Sequence, residues 1–308
     1  MKTIFGPILS RRFGKSLGID LSPTKKQCNF DCLYCELSPT KSIDRYDLVI
    51  EPDIIIKELK EALSKHKDID VLTVTANGEP TLYPYLEDLI KEINSFKGDI
   101  KSLILTNSST ISKRETQEAL VLFDIVKLSL DCATNRCFKR LDRPHKSINL
   151  ESIKMGMLEF RDTFKGSLII EVLIVEGIND KEQEIKEINN FLLKLRPSRI
   201  DLGTIDRPPA YSVKGVDYSR LYRLSHLFDS SLFVNIVSRN SIDKSSLYSY
   251  TKEDIINTIS KRPLTIEDAK ALFDSDTLRE LEELYQNKTL NIVEVGGVEF
   301  YKLNSSND

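Results

Sequence analysis

Short β-branched runs alternate with helical ones from residue 17 to about residue 237, and each motif able to carry chemistry sits just after one of those runs. A serine-rich stretch then gives way to three helical segments and two short strands around Gly296-Gly297. These observations predict an α/β protein: a partial (β/α)6 TIM-like barrel over residues 1–239, a linker over residues 240–250, and a small C-terminal winged-helix domain over residues 251–308. The length agrees, because 308 residues exceed one ordinary domain and suit a barrel of roughly 200–250 residues with an appendage.

In chain order, strands are expected at residues 17–21 and 69–75, separated by a helix at 52–66 whose Ile55, Leu59 and Leu63 share one face. A helix at 85–96 leads to a strand at 100–106, and one at 112–123 to a strand at 125–130. A helix at 149–164 leads to a strand at 168–175, one at 180–195 to a strand at 199–204, and a last helix covers 218–228. In such a barrel the active site lies at the C-terminal ends of the strands. The loops after the first four strands carry residues 28–35, Asn77-Gly78-Glu79-Pro80, Thr106-Asn107-Ser108 and Ser129-Leu130-Asp131, so they converge on one mouth. Beyond the linker, helices are expected at 252–260, 265–273 with Thr265 as N-cap, and 276–286, and Gly-Gly is the turn chemistry of a two-residue hairpin.

The chain is 40% apolar and 30% charged, with a net charge of −3. That composition can build a packed core and gives no global sign of a nucleic-acid or anionic-membrane binder. The N-terminal residues break off before any signal-peptide apolar stretch, and the most apolar strand-like run is interrupted by Glu171, so a soluble cytoplasmic protein without membrane contact is expected.

Five cysteines, odd in number and with three inside eight residues, do not look like a disulfide framework and point to metal in a reducing compartment. The run Cys28-Asn29-Phe30-Asp31-Cys32-Leu33-Tyr34-Cys35 lets three thiolates converge on three corners of an iron–sulfur cube. Such clusters usually have four cysteine ligands, so three leave one iron open to a small molecule. Structural zinc is the rival, but zinc sites usually bring a second pair of ligands nearby, and His66, His145 and His226 are all more than thirty positions away.

With Tyr34 immediately before the last cysteine, the run resembles the signature of the radical S-adenosylmethionine (SAM) superfamily. Asn77-Gly78-Glu79-Pro80 is similar to that superfamily's glycine–glutamate motif, and Ser129-Leu130-Asp131 to its fourth-strand motif. The resemblance implies that Cys28, Cys32 and Cys35 hold a 4Fe-4S cluster whose open iron chelates SAM. Reduction of the cluster then cleaves the sulfonium, and a 5′-deoxyadenosyl radical takes a hydrogen atom from the substrate. It also implies cofactor contacts from Tyr34 near the adenine, from Gly78 and Glu79 near the methionine amino group, and from Asn107 and Ser129. Within the superfamily the chain is similar to bacterial relatives of the wyosine-base (tRNA imidazoguanosine) synthases. The residues concerned are Gly6-Pro7, Ser10-Arg11-Arg12-Phe13-Gly14-Lys15-Ser16-Leu17-Gly18, Gly78-Glu79-Pro80-Thr81-Leu82, Leu141-Asp142-Arg143-Pro144-His145 and Asp206-Arg207-Pro208-Pro209. This implies a tRNA or other RNA base as substrate. The synthases use a second cluster with cysteines upstream of the signature, and no cysteine precedes Cys28. No flavodoxin-like domain is evident, which implies a separate electron donor of flavodoxin or ferredoxin type.

Two rival functions stay open at this point. One is radical SAM modification of a peptide or protein docked by the winged helix. The other is a non-enzymatic iron–sulfur regulator that binds DNA, which leaves the Gly-Glu-Pro and Ser-Leu-Asp loops without a role and expects a basic wing. Residues 251–308 instead hold seven Lys and Arg against twelve Asp and Glu, and the third helix carries Asp276, Glu280, Glu282 and Glu283 against Arg279. Phosphate neutralisation supplies most non-specific DNA affinity, so duplex DNA is not an expected partner. Cys132 can face the mouth as a hydrogen-atom donor or covalent anchor, or, like Cys137, serve as a small apolar core residue. Arg11, Arg12, Lys15, Lys25 and Lys26 form either a solvated basic edge or a site for a substrate phosphate or carboxylate, and Arg143 and Arg207 are candidates for the same task. Loss of the C-terminal domain is expected to spare cofactor cleavage, and Gly78→Val to weaken cofactor binding while leaving the cluster in place.

Overall fold

The computed structural model describes residues 2–10, 12–236, 247–295 and 298–304. An eight-stranded sheet runs in sequence order through β1 (Ile4–Ser10), β2 (Gly14–Asp20), β3 (Val71–Thr75), β4 (Lys101–Thr106), β5 (Ile125–Ser129), β6 (Ser167–Ile174), β7 (Arg199–Thr204) and β8 (Val234–Ile236). The β1–β2 pair is antiparallel and all the others are parallel. The crossovers are made by α1 (Pro52–Lys65), α2 (Leu86–Phe96), α3 (Arg114–Leu120), α4 (Asn135–Leu141) with α5 (Leu150–Thr163), α6 (Glu182–Leu195) and α7 (Tyr218–Ser225). This is the α/β partial barrel expected from the alternation of strand and helix patterns.

Three elements escape the pattern. The apolar run of β1 is broken by Gly6-Pro7, and proline lacks the N–H that an inner strand needs, so this strand is tolerable only at the sheet edge it occupies. β8 spans three residues and α4 seven, both too short to show a period.

Alternation along the strands separates two faces. Leu17 and Ile19 of β2, Leu72 and Val74 of β3, Val126 and Leu128 of β5, and Ile200 and Leu202 of β7 are buried in one core together with Ile55, Leu89, Ile153, Ile188 and Leu224 of the helices. The opposite face is polar. It presents Ser16 bonded to Thr73 at 2.7 Å, and the charged groups Lys127, Glu171 and Asp201. Polar residues on an inward face leave room for water and ligand where a closed barrel would pack branched side chains.

The C-terminal unit holds α8 (Lys252–Lys261), β9 (Leu264–Thr265), α9 (Ile266–Leu272), α10 (Ser275–Gln286), β10 (Leu290–Val295) and β11 (Val298–Leu303), with an antiparallel sheet in the order β10-β11-β9. Thr251 with Asp254 and Thr265 with Asp268 form capping boxes that start α8 and α9. The hairpin turn at Gly296-Gly297 and linker residues 240–246 lie outside the described residues. The end of that expected linker is not loose, because Tyr248 and Tyr250 are buried and Tyr250 donates to the Pro7 carbonyl at 2.6 Å. Phe5 and Ile8 of β1 belong to the C-terminal apolar core. Gly18 of β2 makes this packing feasible, since a Cβ there would stand 2.2 Å from the Phe5 ring. No helix among the described residues is long and apolar enough to cross a membrane.

Candidate functional site

The loop after β2 carries the three cysteines, and segments distant in sequence frame it by backbone hydrogen bonds. Gln27 donates to Asn77 O at 2.8 Å and accepts from Glu79 N at 2.9 Å. Along the other side, Asp31 N donates to Asp142 O, Leu33 N to Leu141 O, and His145 N to Asn29 O, at 2.8–3.1 Å. Ala210 N donates to Cys35 O at 2.8 Å, and Arg207 pairs with Glu36 at 2.6 Å. The Gly-Glu-Pro, Leu-Asp-Arg-Pro-His and Asp-Arg-Pro-Pro stretches singled out in the sequence therefore meet around one loop.

Cys28, Cys32 and Cys35 are free and half-buried. Cys28 Sγ faces Phe30 N at 3.4 Å and Asn107 Nδ2 at 3.7 Å, and Cys32 lies 3.8 Å from Asp142 Oδ1. Burial, reinforced by the Glu79 carboxylate, pushes the Cys28 thiol up to about 12, and burial also raises Cys32 and Cys35. Lys26 opposes that rise at Cys35. Its buried ammonium has no hydrogen-bond partner among the described residues and stands 3.7 Å from Asp31 Oδ1, which is equally unpartnered. A buried ammonium that has an ion-pair partner but no hydrogen-bond acceptor, beside three soft sulfur donors, fits an anionic thiolate-ligated iron–sulfur group, because such a group deprotonates the thiols and adds negative charge next to the cation.

A pH dependence follows. Burial holds the thiols of the metal-free protein protonated at neutral pH, so metal binding releases protons and the apparent affinity should rise with pH through the neutral range. Anaerobic titration with Co2+, followed by thiolate-to-metal charge-transfer absorption at pH 6 and pH 8, measures this; equal affinities would contradict it.

Around the thiols, Glu79 is a tie between loops. It is 1% exposed. One carboxylate oxygen accepts from Thr81 N, Thr81 Oγ1 and Thr106 Oγ1 at 3.0, 2.6 and 2.5 Å, and the other accepts from Asn107 N at 2.6 Å. Its side chain is therefore committed to joining the loops after β3 and β4. Asn107 in turn donates to Asn29 Oδ1 at 2.9 Å while facing Cys28. Tyr34 donates to Asp131 Oδ2 at 2.5 Å, and Asp131 Oδ1 accepts from Leu173 N at 2.7 Å. Burial lifts Asp131 to about 7 and raises Asp142 as well. Tyr34, Asn107, Ser129, Asp131 and Asp142 line one small pocket with Phe30. The Ser129 carbonyl accepts from Ser108 Oγ at 2.9 Å, and its hydroxyl has no partner among the described residues.

Several sequence expectations are corrected here. The basic run does not form one edge. Arg12 enters the polar face of the sheet to pair with Glu171 at 3.1 Å and Asp201 at 3.0 Å, Lys25 pairs with Asp47, Lys15 with Asp68, and Arg11 lies outside the described residues. Arg143 pairs with Asp31 at 3.2 Å and Arg207 with Glu36, so both brace the cysteine loop. Cys132 and Cys137 are joined in a disulfide, against the expectation of free thiols, because the first turn of α4 returns Cys137 to within 5.5 Å (Cα–Cα) of Cys132. Cys132 is 1% exposed. Sequence reasoning did not find the charge cluster of Lys127, Glu171, Asp201, Arg12 and Arg199, although Glu171 stood out as a charge inside an apolar strand.

The comparisons with known proteins agree with this geometry. The sequence profile of the Radical SAM superfamily matches residues 23–192. A UPF0026 protein of Helicobacter pylori is 43% identical over 97% of this chain and 96% of its own length. A UPF0026 protein of Methanocaldococcus jannaschii is 33% identical over 90% of this chain and 88% of its own. Among solved structures, a radical SAM methyltransferase from Sphaerobacter thermophilus shares the fold with a TM-score of 0.56 and 13% identity, over 73% of this chain and 67% of that one. With the profile spanning the cysteine loop and all but the last of the framing segments, the chain belongs to the radical SAM superfamily of enzymes, whose members bind a 4Fe-4S cluster and SAM.

Proposed function

We propose that Cys28, Cys32 and Cys35 hold the 4Fe-4S cluster and that the adjoining pocket receives SAM. The observation that carries this is the convergence of three sequence-distant segments on one three-thiol loop. When bound, the reduced cluster supplies the electron that cleaves SAM and starts hydrogen-atom abstraction. The residues of the chain do the rest. The pocket lining of Tyr34, Asn107 and Ser129 shapes the cofactor site, with Tyr34 oriented by Asp131 and Asn107 by Asn29. Gly78 offers bare backbone to the methionine moiety, and the buried Glu79 keeps the two neighbouring loops in register. Superfamily enzymes need a reductant, and a separate flavodoxin- or ferredoxin-type protein is proposed for this role.

For the substrate we favour a tRNA or other RNA base. The support is the likeness to bacterial relatives of the wyosine-base synthases, carried in part by this chain's Leu141–His145 and Asp206–Pro209 stretches, which frame the cysteine loop. The acidic C-terminal unit supports a second reading, a basic peptide or protein. On α10, Glu280 and Glu283 share Lys252, and Arg279 pairs with Asp276, which leaves little positive charge for a phosphate. Anaerobically reconstituted protein should make 5′-deoxyadenosine with a strong reductant, and unmodified bulk tRNA should raise that yield while a basic peptide pool should not. The opposite pattern overturns the RNA reading. The full chain should not bind duplex DNA at physiological salt within the range of about 10⁻⁴–10⁻⁶ M typical of non-specific binders; tight, steeply salt-dependent binding would revive the regulator.

A further inference from the structure

Asp20 ends β2 at the mouth of the barrel, and its carboxylate has two separate engagements. Oδ1 accepts the amides of Ser22 and Asn77, each at 2.9 Å, so it ties the start of the cysteine loop to the loop that holds Gly78. Oδ2 accepts Lys261 Nζ at 2.6 Å. Lys261 is the last residue of α8, separated from Asp20 by 241 positions, and the two side chains are 2% and 1% exposed. Apolar packing already holds the C-terminal unit to β1 through Phe5 and Ile8. A buried ion pair is a poor device for adhesion alone, because desolvating two charges offsets much of their attraction. What the ammonium adds is direction, since it pins a carboxylate whose other oxygen orients a loop backbone. The neighbouring Arg262 places the same end of α8 at the mouth, where burial and Arg207 pull its guanidinium down to about 10.

We propose that Lys261 is a positioning residue for SAM: through Asp20 it sets the Asn77 backbone and the Gly78 loop, so the C-terminal unit completes the cofactor site. This rests on the assignment of the Gly78 loop to SAM made above. The expectation that loss of residues 251–308 spares cofactor cleavage is thereby replaced.

The test compares Lys261→Met with Asn257→Ala in the full-length, cluster-loaded protein. Asn257 lies one turn earlier on α8 and donates to Ile4 O at 3.0 Å, so its loss loosens the same helix without touching Asp20. Iron per chain, melting temperature and the SAM dissociation constant, measured by equilibrium dialysis without reductant, are read for each. Lys261→Met should weaken SAM binding about tenfold, as expected for a charge-assisted hydrogen bond acting on the site, with iron content unchanged. Asn257→Ala should leave the affinity near wild type at a comparable loss of melting temperature, and Lys261→Arg should recover it. If Lys261→Met does not fold, Lys261→Gln takes its place in the same comparison. Equal affinity losses in the Lys261 and Asn257 variants, or no loss in the former, overturn the proposal alone. A wild-type chain that takes up iron yet binds no SAM overturns the functional assignment and this proposal together.

Discussion

Changing any one of Cys28, Cys32 or Cys35 to alanine should abolish SAM cleavage and strip most of the iron from the protein. The three thiols are the free sulfur donors among the described residues, since Cys132 and Cys137 are paired with each other. Two thiolates cannot hold a cube that needs three protein ligands to leave one iron open. The wild-type chain should bind about four irons after anaerobic reconstitution, and each variant should lose the visible sulfur-to-iron absorption along with 5′-deoxyadenosine formation. The fold itself should survive, because Cys28 and Cys32 pack only part-buried against the larger apolar core and lie outside its buried set; far-UV circular dichroism checks this. Cleavage that persists in all three variants, or stoichiometric zinc in the purified protein, would remove the basis for the site.

Gly78→Val should cost the protein both its cluster and its cofactor. The sequence expectation was a selective loss of cofactor binding, but the structure shows why the two go together. Gly78 has φ near +141°, and a Cβ there would stand 1.8 Å from the carbonyl oxygen of Gln27. Gln27 immediately precedes Cys28 and is bridged to Gly78 through Asn77 O and Glu79 N. A branched side chain must therefore displace the backbone that places the first thiol. Overpacking of this kind costs roughly 1–3 kcal/mol or more, and the strained φ adds to it. Parallel measurement of iron content, SAM affinity and thermal melting checks the claim. Full iron occupancy with only SAM affinity reduced would restore the selective role.

The boundary between what sequence decides and what packing decides runs between local and distant contacts. The cysteine run, the strand–helix alternation and the capping boxes at Thr251 and Thr265 are each contained within a few residues, so their chemistry is legible from spacing alone. The sequence also placed the pocket residues Tyr34, Asn107 and Ser129 in loops that share one mouth, because parallel strands put all their C-terminal ends on one side. It could not say which charges meet. Arg12, Lys127, Glu171 and Asp201 are four lone charges in four separate strand and hairpin segments, and only the register of the sheet turns them into one network. Arg207 looked like a substrate contact and is instead the partner of Glu36. Cys132 and Cys137 are near in sequence, yet whether five positions separate or join two sulfurs depends on where α4 begins. The junction of Lys261 with Asp20 lies furthest from sequence reach. Nothing in either local stretch marks it, and it forms where apolar burial of Phe5 and Ile8 holds the C-terminal unit against β1, beside the end of β2. Local chemistry specified the thiols and the scaffold, while long-range burial decided which buried charges are paired and so which residues brace the loops around the thiols.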